Sequence, residues 1–280
     1  MTADVPVVGH VAPPGLHCMT FNVRRPVPLL RSGHPDSWVR RAPAVATLVR
    51  SETPHLLAVQ EAVPTQVQHL GAALGSRWHP VVTGRGPGGG GEGVGFFVDT
   101  ERLRVVSERT IALGPDPSRV GVRAWGAPFP RIAVVCEFDD LATGVRFAGV
   151  ATHVDPFSRP AQTRSAELIG RVVRETGVPA VVLADWNAGE RSASAGVLAT
   201  AGLDDTWVLA DPAGRQVSVG TYARYRTPRP GRARIDRVLV RGTPTVGVAV
   251  DRVAISARRP AGVWPSDHLP VHAVLRWEPR

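Results

Sequence analysis

Pro179-Ala180-Val181-Val182-Leu183-Ala184-Asp185-Trp186-Asn187 is a short apolar run that ends in an acid and an amide. Its length and lack of polar interruption predict a buried strand over Pro179 to Leu183. Side chains at i and i+2 of a strand share a face, so Asp185 and Asn187 project together and Trp186 turns the other way. A carboxylate and an amide paired like this can hold an attacking water and contact a phosphoryl oxygen. Taken alone, the pair reads far more readily as a turn after a strand, since Asp and Asn favour one there.

The same kind of ending recurs along the chain. Thr20-Phe21-Asn22-Val23-Arg24 closes a strand predicted over Leu16 to Val23. Gln60-Glu61 follows Leu56 to Val59, and Thr152-His153 ends Val145 to Thr152. Ile235-Asp236-Arg237 opens a strand reaching Val240, and Ser266-Asp267-His268-Leu269-Pro270 precedes the last, Val271 to Trp277. By alternation Glu61 continues the face of Leu57 and Val59, Asn22 that of Cys18 and Thr20, and His153 that of Gly149 and Ala151. Singly, each is a turn, a cap, a solvated strand end or a core histidine. Together they supply hard oxygen ligands, a carboxylate to handle water and a held imidazole, the requirements of metal-assisted phosphate-ester hydrolysis.

Three adjacent residues, Ser266-Asp267-His268, cannot form a Ser-His-Asp relay, whose members must reach one another from separate elements. Gly-x-Ser-x-Gly is also absent. Asp267 is therefore read as a metal or water ligand, and His268 as a charged or proton-donating contact to phosphate. Asp236 is the candidate to hold the His268 ring and raise its pKa.

The remaining pattern predicts strands at Val94 to Val98, Ile132 to Phe138 and Val246 to Val253, with a hairpin turn around Ala142-Thr143-Gly144. Helices are predicted over Ser37 to Ser51, Thr65 to Leu74 and Ala161 to Arg174. Mixed strands with few helices imply sheets packed face to face with helices outside. One domain over residues 16–280 follows an N-terminal extension, 1–15, expected to be poorly ordered. With 43% apolar and 20% charged residues in 280, the chain can bury a core and is not disordered as a whole. Its net charge of +9, carried entirely by arginine among the basic residues, favours approach of polyanions or phosphorylated substrates.

No run of 18 apolar residues exists, so no membrane span is expected. Met1 to His17 lacks the pattern of a secretion signal, which makes the cytoplasm the default location. Cys18 and Cys136 lie in apolar runs and read as buried free thiols. Gly84 to Gly93 carries no Gly-Lys-Ser/Thr and precedes a strand, so it reads as a mobile surface loop. The stretch Arg224 to Arg241 carries seven arginines beside Tyr222 and Tyr225. It fits a loop laid on a nucleic-acid backbone and, equally, an exposed arginine-rich loop set by base composition.

The series Asn22, Gln60-Glu61, Thr152-His153, Asp185-x-Asn187, Asp236 and Ser266-Asp267-His268 resembles the endonuclease/exonuclease/phosphatase superfamily, the deoxyribonuclease I-like phosphoesterases, from about Thr20 to Val274. The resemblance implies an α/β fold, a four-layer α/β sandwich of two mixed β-sheets with helices outside. It also implies hydrolysis of a phosphate ester with one or two Mg²⁺ or Mn²⁺ ions. In that family pattern Glu61 is the principal metal ligand, Asn22 an auxiliary ligand or phosphate contact, and Asp267 a further metal-side carboxylate. Asp185 orients or deprotonates water, Asn187 supports the transition state, and His153 contacts phosphate. His268, oriented by Asp236, is the second catalytic histidine. Arg24 resembles a phosphate contact of the same branch, while Arg131, in Pro130-Arg131, resembles small bacterial members. With Arg234 from the arginine-rich stretch, these are the substrate-binding candidates.

Ala184 stands where the family usually has Gly, Trp186 where Phe is common, and Pro54-His55 where Pro-Asp is frequent. The first two touch packing, and the third removes a carboxylate outside the expected site. The expected activity is that of a phosphodiesterase or nuclease. A phosphomonoesterase acting on a nucleotide, inositol phosphate or sugar phosphate uses the same core. A catalytically silent binding module is the reading from another class.

Overall fold

Central strands with apolar side chains on both faces need cover on both sides, and two helical layers around two sheets provide it. The computed structural model describes residues 5–216 and 218–280. In chain order the elements are β1 (Leu16–Asn22), α1 (Trp38–Glu52), β2 (Leu56–Ala62), α2 (Pro64–Leu74), β3 (Trp78–Gly84), β4 (Gly93–Asp99), β5 (Leu103–Ala112) and β6 (Ile132–Asp140). There follow β7 (Arg146–His153), α3 (Arg159–Glu175), β8 (Ala180–Asp185), α4 (Ala193–Thr200), β9 (Asp204–Asp205), α5 (Thr206–Leu209), β10 (Arg215–Gln216), β11 (Asp236–Arg241), β12 (Val246–Ile255) and β13 (Val271–Pro279).

The strands form a seven-stranded sheet, β10-β12-β13-β1-β2-β4-β3, and a six-stranded sheet, β5-β6-β7-β8-β11-β9. Both are mixed, with β1 parallel to β2 in one and β7 parallel to β8 in the other. Alternation sorts the side chains into layers. Cys18, Ala58, Cys136, Val181, Leu183 and Val238 meet between the sheets. Met19, Phe21, Leu57 and Val59 turn outward to Val45 and Leu48 of α1 and Leu70 of α2. Val135, Val182 and Ala184 turn outward to Ile169 and Val173 of α3. The expected four-layer α/β sandwich is the observed one.

Helix α3 illustrates the local logic. Ser158 caps it by accepting the Ala161 N–H at 3.2 Å, and Ala161, Ser165, Ala166, Leu168, Ile169, Val172 and Val173 form its buried stripe. Four strands, β3, β5 and the two-residue β9 and β10, escaped the hydrophobic pattern. Strand β5 borders its sheet and is largely exposed, with Glu108 and Arg109 on it, so no apolar alternation announces it. Both cysteines are buried free thiols whose pKa values burial pushes up, that of Cys136 to about 12.

Two loops make contacts that their composition does not announce. Residues 1–4 of the N-terminal extension lie outside the described residues, but from Val5 onward its path is defined. The Val7, Val8 and Gly9 N–H groups donate to the buried Glu52 carboxylate at 2.8, 3.0 and 3.1 Å. That carboxylate needs donors once removed from water, and the extension supplies them. The glycine-rich stretch closes on itself between β3 and β4 through Gly86 N–H to Gly90 O at 2.7 Å and an Arg85–Glu92 ion pair at 2.8 Å. Among the described residues no helix is long and apolar enough to cross a membrane.

Candidate active site

Register sets the first row of the site. His153 of β7 pairs with Asp185 of β8, and Asp185 with Asp236 of β11, so three polar side chains stand abreast at one end of the six-stranded sheet. Each continues a face that packs between the sheets: Ala151, then Val181 and Leu183, then Val238 and Val240. Asn22 ends β1 of the facing sheet on its own inter-sheet face. Its amide nitrogen donates across the gap to Asp185 Oδ2 at 2.9 Å and to Glu61 Oε1 at 3.0 Å.

Glu61 does not arrive by alternation. Extended backbone would carry it outward with Leu57 and Val59 toward the helices. Instead the β2–β4 register shifts between Val59 and Ala62, and Glu61 sits at φ +60. This bulge re-aims the carboxylate into the gap beside Asn22. Asn187 likewise shares a site with Asp185 because of a turn and not a strand face. Strand β8 stops at Asp185, Asn187 has φ +49, and its N–H donates to Asp185 Oδ1 at 2.9 Å. Its side-chain amide then reaches the Val154 carbonyl and His153 Nε2, both at 2.9 Å. Trp186 does turn away into the α3 side of the core.

Ser266, Asp267 and His268 lie on the segment entering β13. Ser266 Oγ donates to the Asn22 carbonyl at 2.7 Å and accepts the His268 N–H at 3.2 Å, which fixes the segment against β1. His268 Nδ1 lies 2.9 Å from Asp236 Oδ2 and 3.7 Å from Asp185 Oδ2. Thr221 secures the other side. Its buried hydroxyl accepts the N–H groups of Ile235 and Asp236, both at 3.0 Å, while its carbonyl accepts the Leu269 N–H at 2.7 Å. Tyr222 packs its ring on His268 with centroids 4.8 Å apart.

Burial and charge drive the two histidines apart. Burial opposes protonation of His268, but Asp236 and Asp185 outweigh it and hold its pKa up at about 10. It is an imidazolium at neutral pH, with Nδ1–H given to Asp236. Burial, then Arg131 and Arg85, hold His153 well below the usual histidine range. Neutral His153 uses Nε2 as an acceptor for Asn187, so a phosphate contact through that nitrogen requires the other tautomer. Asp185 is pushed up to about 7, by burial first and by Asp236 next, against the pull of His268, Asn22 and the Asn187 N–H. Burial also raises Asp267, against the pull of His268 and Arg24.

The donor set fits a hard divalent cation. Glu61, Asp185, Asp236 and Asp267 crowd one pit, and Arg24 sits between two of them, Nη1 at 3.8 Å from Glu61 and Nε at 3.9 Å from Asp267. Carboxylates that gather a cation this way match Mg²⁺ or Mn²⁺ chemistry. Asp185, Asp236 and His268 also lie close enough together to ligate an ion. A protonated His268 has no lone pair to offer, however, which leaves the carboxylates as the donors in this pit. Asn22 is not turned to join them: its Oδ1 accepts the Arg24 N–H at 2.9 Å, and its nitrogen spaces Glu61 from Asp185.

A sequence model described as the Endonuclease/Exonuclease/phosphatase family matches residues 19–268. The chain belongs to that family. Among solved structures it is similar to an endonuclease/exonuclease/phosphatase protein from Bacteroides vulgatus, 29% identical, with a TM-score of 0.84 over 94% of this chain and 99% of that one. A mannosyl-6-phosphatase from Bacteroides thetaiotaomicron is 26% identical, with a TM-score of 0.83 over 93% of this chain and 99% of that one. D. rerio TDP2 complexed with a single-strand DNA product shares the fold at 17% identity and a TM-score of 0.72, over 94% and 99% of the two chains. No curated protein sequence matches the chain significantly.

The three arginines proposed from sequence fare differently in this endonuclease/exonuclease/phosphatase chain. Arg24 enters the site, though its guanidinium is bound to Asp36 at 3.0 Å. Arg131 is buried beside His153. Its Nε and Nη1 lack hydrogen-bond partners, and Asp155 lies 3.5 Å away. Burial and nearby Arg85 lower its pKa, as expected of a cation held ready for an anion. Arg234 is engaged elsewhere, paired with Asp205 at 3.2 Å and stacked over Trp207.

Sequence reasoning missed Arg41 and Thr221, and placed Tyr222 beside the arginine-rich stretch without its contact to His268. Arg41 is fully buried and ties the Val23, Arg24 and Pro265 carbonyls together at 2.9 to 3.0 Å, so it positions the segment that carries Asn22 and Arg24 against the one that carries Asp267. An arginine at the buried helical spacing of Val45 and Leu48 was the available signal.

Proposed function

We propose that the chain hydrolyses a phosphodiester, aided by Mg²⁺ or Mn²⁺, by in-line attack of an activated water. The observation that carries this reading is the contact of a carboxylate poised near neutrality with an imidazolium. Asp185, at about 7, stands 3.7 Å from His268, at about 10. Titratable neighbours pushed apart in this way define a base and an acid.

Asp185 takes the proton of the attacking water, its carboxylate plane fixed by the Asn22 and Asn187 donors. His268 gives Nδ1–H to Asp236, which leaves Nε2–H for a phosphoryl or leaving oxygen. Arg131, with two unpartnered guanidinium nitrogens, offsets charge developing on the phosphoryl group, while Asn187, its amide given to His153 and Val154, holds that histidine and Asp185 in place. Glu61 and Asp267 would hold the cation, which when bound supplies Lewis-acid stabilisation of phosphoryl oxygens.

The test is hydrolysis of bis(p-nitrophenyl) phosphate beside p-nitrophenyl phosphate, with EDTA, Mg²⁺ or Mn²⁺, for wild type and Asp185→Asn. Metal-dependent diester cleavage, reduced at least ~10²-fold in the variant, is expected. Full activity in the folded variant overturns the role given to Asp185. A phosphomonoesterase is the second reading, favoured by the likeness to the mannosyl-6-phosphatase. Cleavage of the monoester alone would select it. Metal binding without turnover of any ester would point to a binding module.

A further inference from the structure

From Tyr222 to Arg234 the chain carries five arginines and no acid. Elsewhere arginines answer carboxylates: Arg77 with Asp99, Arg102 with Asp140, Arg104 and Arg146 with Asp139, Arg276 with Asp251. Within this loop only Arg234 does so. Arg224, Arg226, Arg229 and Arg232 are exposed and form no ion pair with any described residue. Base composition explains how many arginines the chain has; it does not explain why four unneutralised ones collect beside the catalytic imidazolium.

The loop is anchored to that imidazolium's own segment. The Ala223 and Arg224 N–H groups both donate to the Asp267 carbonyl, at 2.8 and 2.9 Å. Arg224 and Tyr225 adopt left-handed φ of +52 and +60, and the Tyr225 hydroxyl donates to Asp36. These contacts hold strained backbone in one path. The result is a groove of about 450 Å³ lined by Tyr222, Arg224, Arg226, Arg229, Arg232 and Ile235, the last adjacent to Asp236. Tyr222 rests on His268 yet is 48% exposed, so much of its ring faces solvent at the mouth of the site.

We propose that this groove is the track for a single-stranded oligonucleotide. The assignment rests on the phosphodiesterase reading above and names its substrate class. One scissile phosphate is accommodated by the Asp185–His268 site. Four further guanidinium groups without an ion-pair partner among the described residues line this groove, that of Arg224 lying over the Tyr222 ring at 5.9 Å, and they call for further phosphates in series. A half-exposed aromatic ring where that wall meets the site offers a stacking surface for the base next to the cleaved bond. A cationic groove combined with an aromatic platform is the recurrent physical solution for single strands.

The test reads binding without turnover, on Asp185→Asn protein, by anisotropy of a fluorescein-labelled short oligothymidylate between about 50 and 200 mM NaCl. Adding Arg226→Ala, Arg229→Ala and Arg232→Ala should make the slope of log K against log salt shallower by about 2, from about 0.7 per lost phosphate contact. The corresponding triple Lys variant should keep the slope, which separates charge from packing. Tyr222→Ala should weaken binding about tenfold or more. An unchanged slope in the folded triple Ala variant overturns the track. Undiminished affinity in Tyr222→Ala overturns the assignment to nucleic acid. A protein inert toward every ester that still loses slope in the triple Ala variant would sink the hydrolytic reading and leave the groove standing.

Discussion

Asp236→Asn should shift the working pH of the site by abolishing the charge that keeps His268 protonated. His268 is lifted from 6.5 to about 10, which corresponds to roughly 5 kcal/mol of extra stability for the imidazolium at about 1.4 kcal/mol per pH unit. Opposite unit charges at the observed 2.9 Å attract by about 6 kcal/mol at an effective dielectric of about 20. The single Asp236 contact is thus large enough to account for the elevation, with Asp185 helping to offset burial. An asparagine keeps the shape and an acceptor oxygen but not the charge, so His268 should fall to about 6 to 7. At pH 8 roughly one molecule in ten or fewer would carry the proton, and kcat/KM should drop about 10- to 100-fold. Measured as the ratio of variant to wild type at the same pH, much of that loss should be recovered near pH 6. The assay is the pH profile of kcat/KM on bis(p-nitrophenyl) phosphate, paired with an NMR titration of the His268 ring. An alkaline limb that stays in place, or a His268 signal titrating identically in both proteins, would refute the reasoning.

Asp185→Asn should uncouple stability from activity. A carboxyl raised from 3.8 to about 7 in the fold makes stability fall as pH rises between those values. Removing it should raise the melting temperature of metal-free protein at pH 8 by about 2–5 °C, with the gain vanishing toward pH 4 in calorimetry. Glu61→Gln should raise the Mg²⁺ concentration for half-maximal activation at least ~10-fold, and an unaltered requirement would remove Glu61 from the ligands.

Acid should weaken the fold through His17, His55 and His272. Burial holds all three below the usual range, His55 at about 4. Their contribution is intact above pH 6.5 and is lost on acidification, for His55 at about 1.4 kcal/mol per pH unit between 6.5 and about 4. Urea unfolding of Asp185→Asn protein, which lacks the opposing carboxyl, should show a lower midpoint at pH 5 than at pH 7.5, and a midpoint no lower at pH 5 would refute the loss assigned to the three histidines.

Strand alternation was enough to aim Asn22, His153 and Asp185 correctly, because each lies within or at the end of a regular strand whose two faces the apolar residues label. It failed at Glu61 and Asn187, where left-handed backbone replaces the strand and non-glycine residues give no local sign of it. The Asp236–His268 pairing was legible as a chemical need: a catalytic imidazole wants a carboxylate, and few were free to serve. The packing of Tyr222 on His268 and the reach of Arg41 across three carbonyls depend on tertiary neighbours far apart in sequence. The polar border strand β5 was hidden because its stability comes from ladder hydrogen bonds, which any side-chain pattern can accompany.

The hydroxyl of Thr221 gathers the backbone immediately before the arginine-bearing loop and immediately after it, since Ile235 and Asp236 both donate to that one oxygen. The loop therefore leaves and rejoins the scaffold beside one oxygen, and its first residues, Tyr222 to Tyr225, are tied to His268, Asp267 and Asp36. What lies beyond them, before Arg234, can be lengthened or shortened without moving the backbone that carries Asp236 and His268. A chain built this way can acquire a new substrate by exchanging one insert while its chemistry stays put.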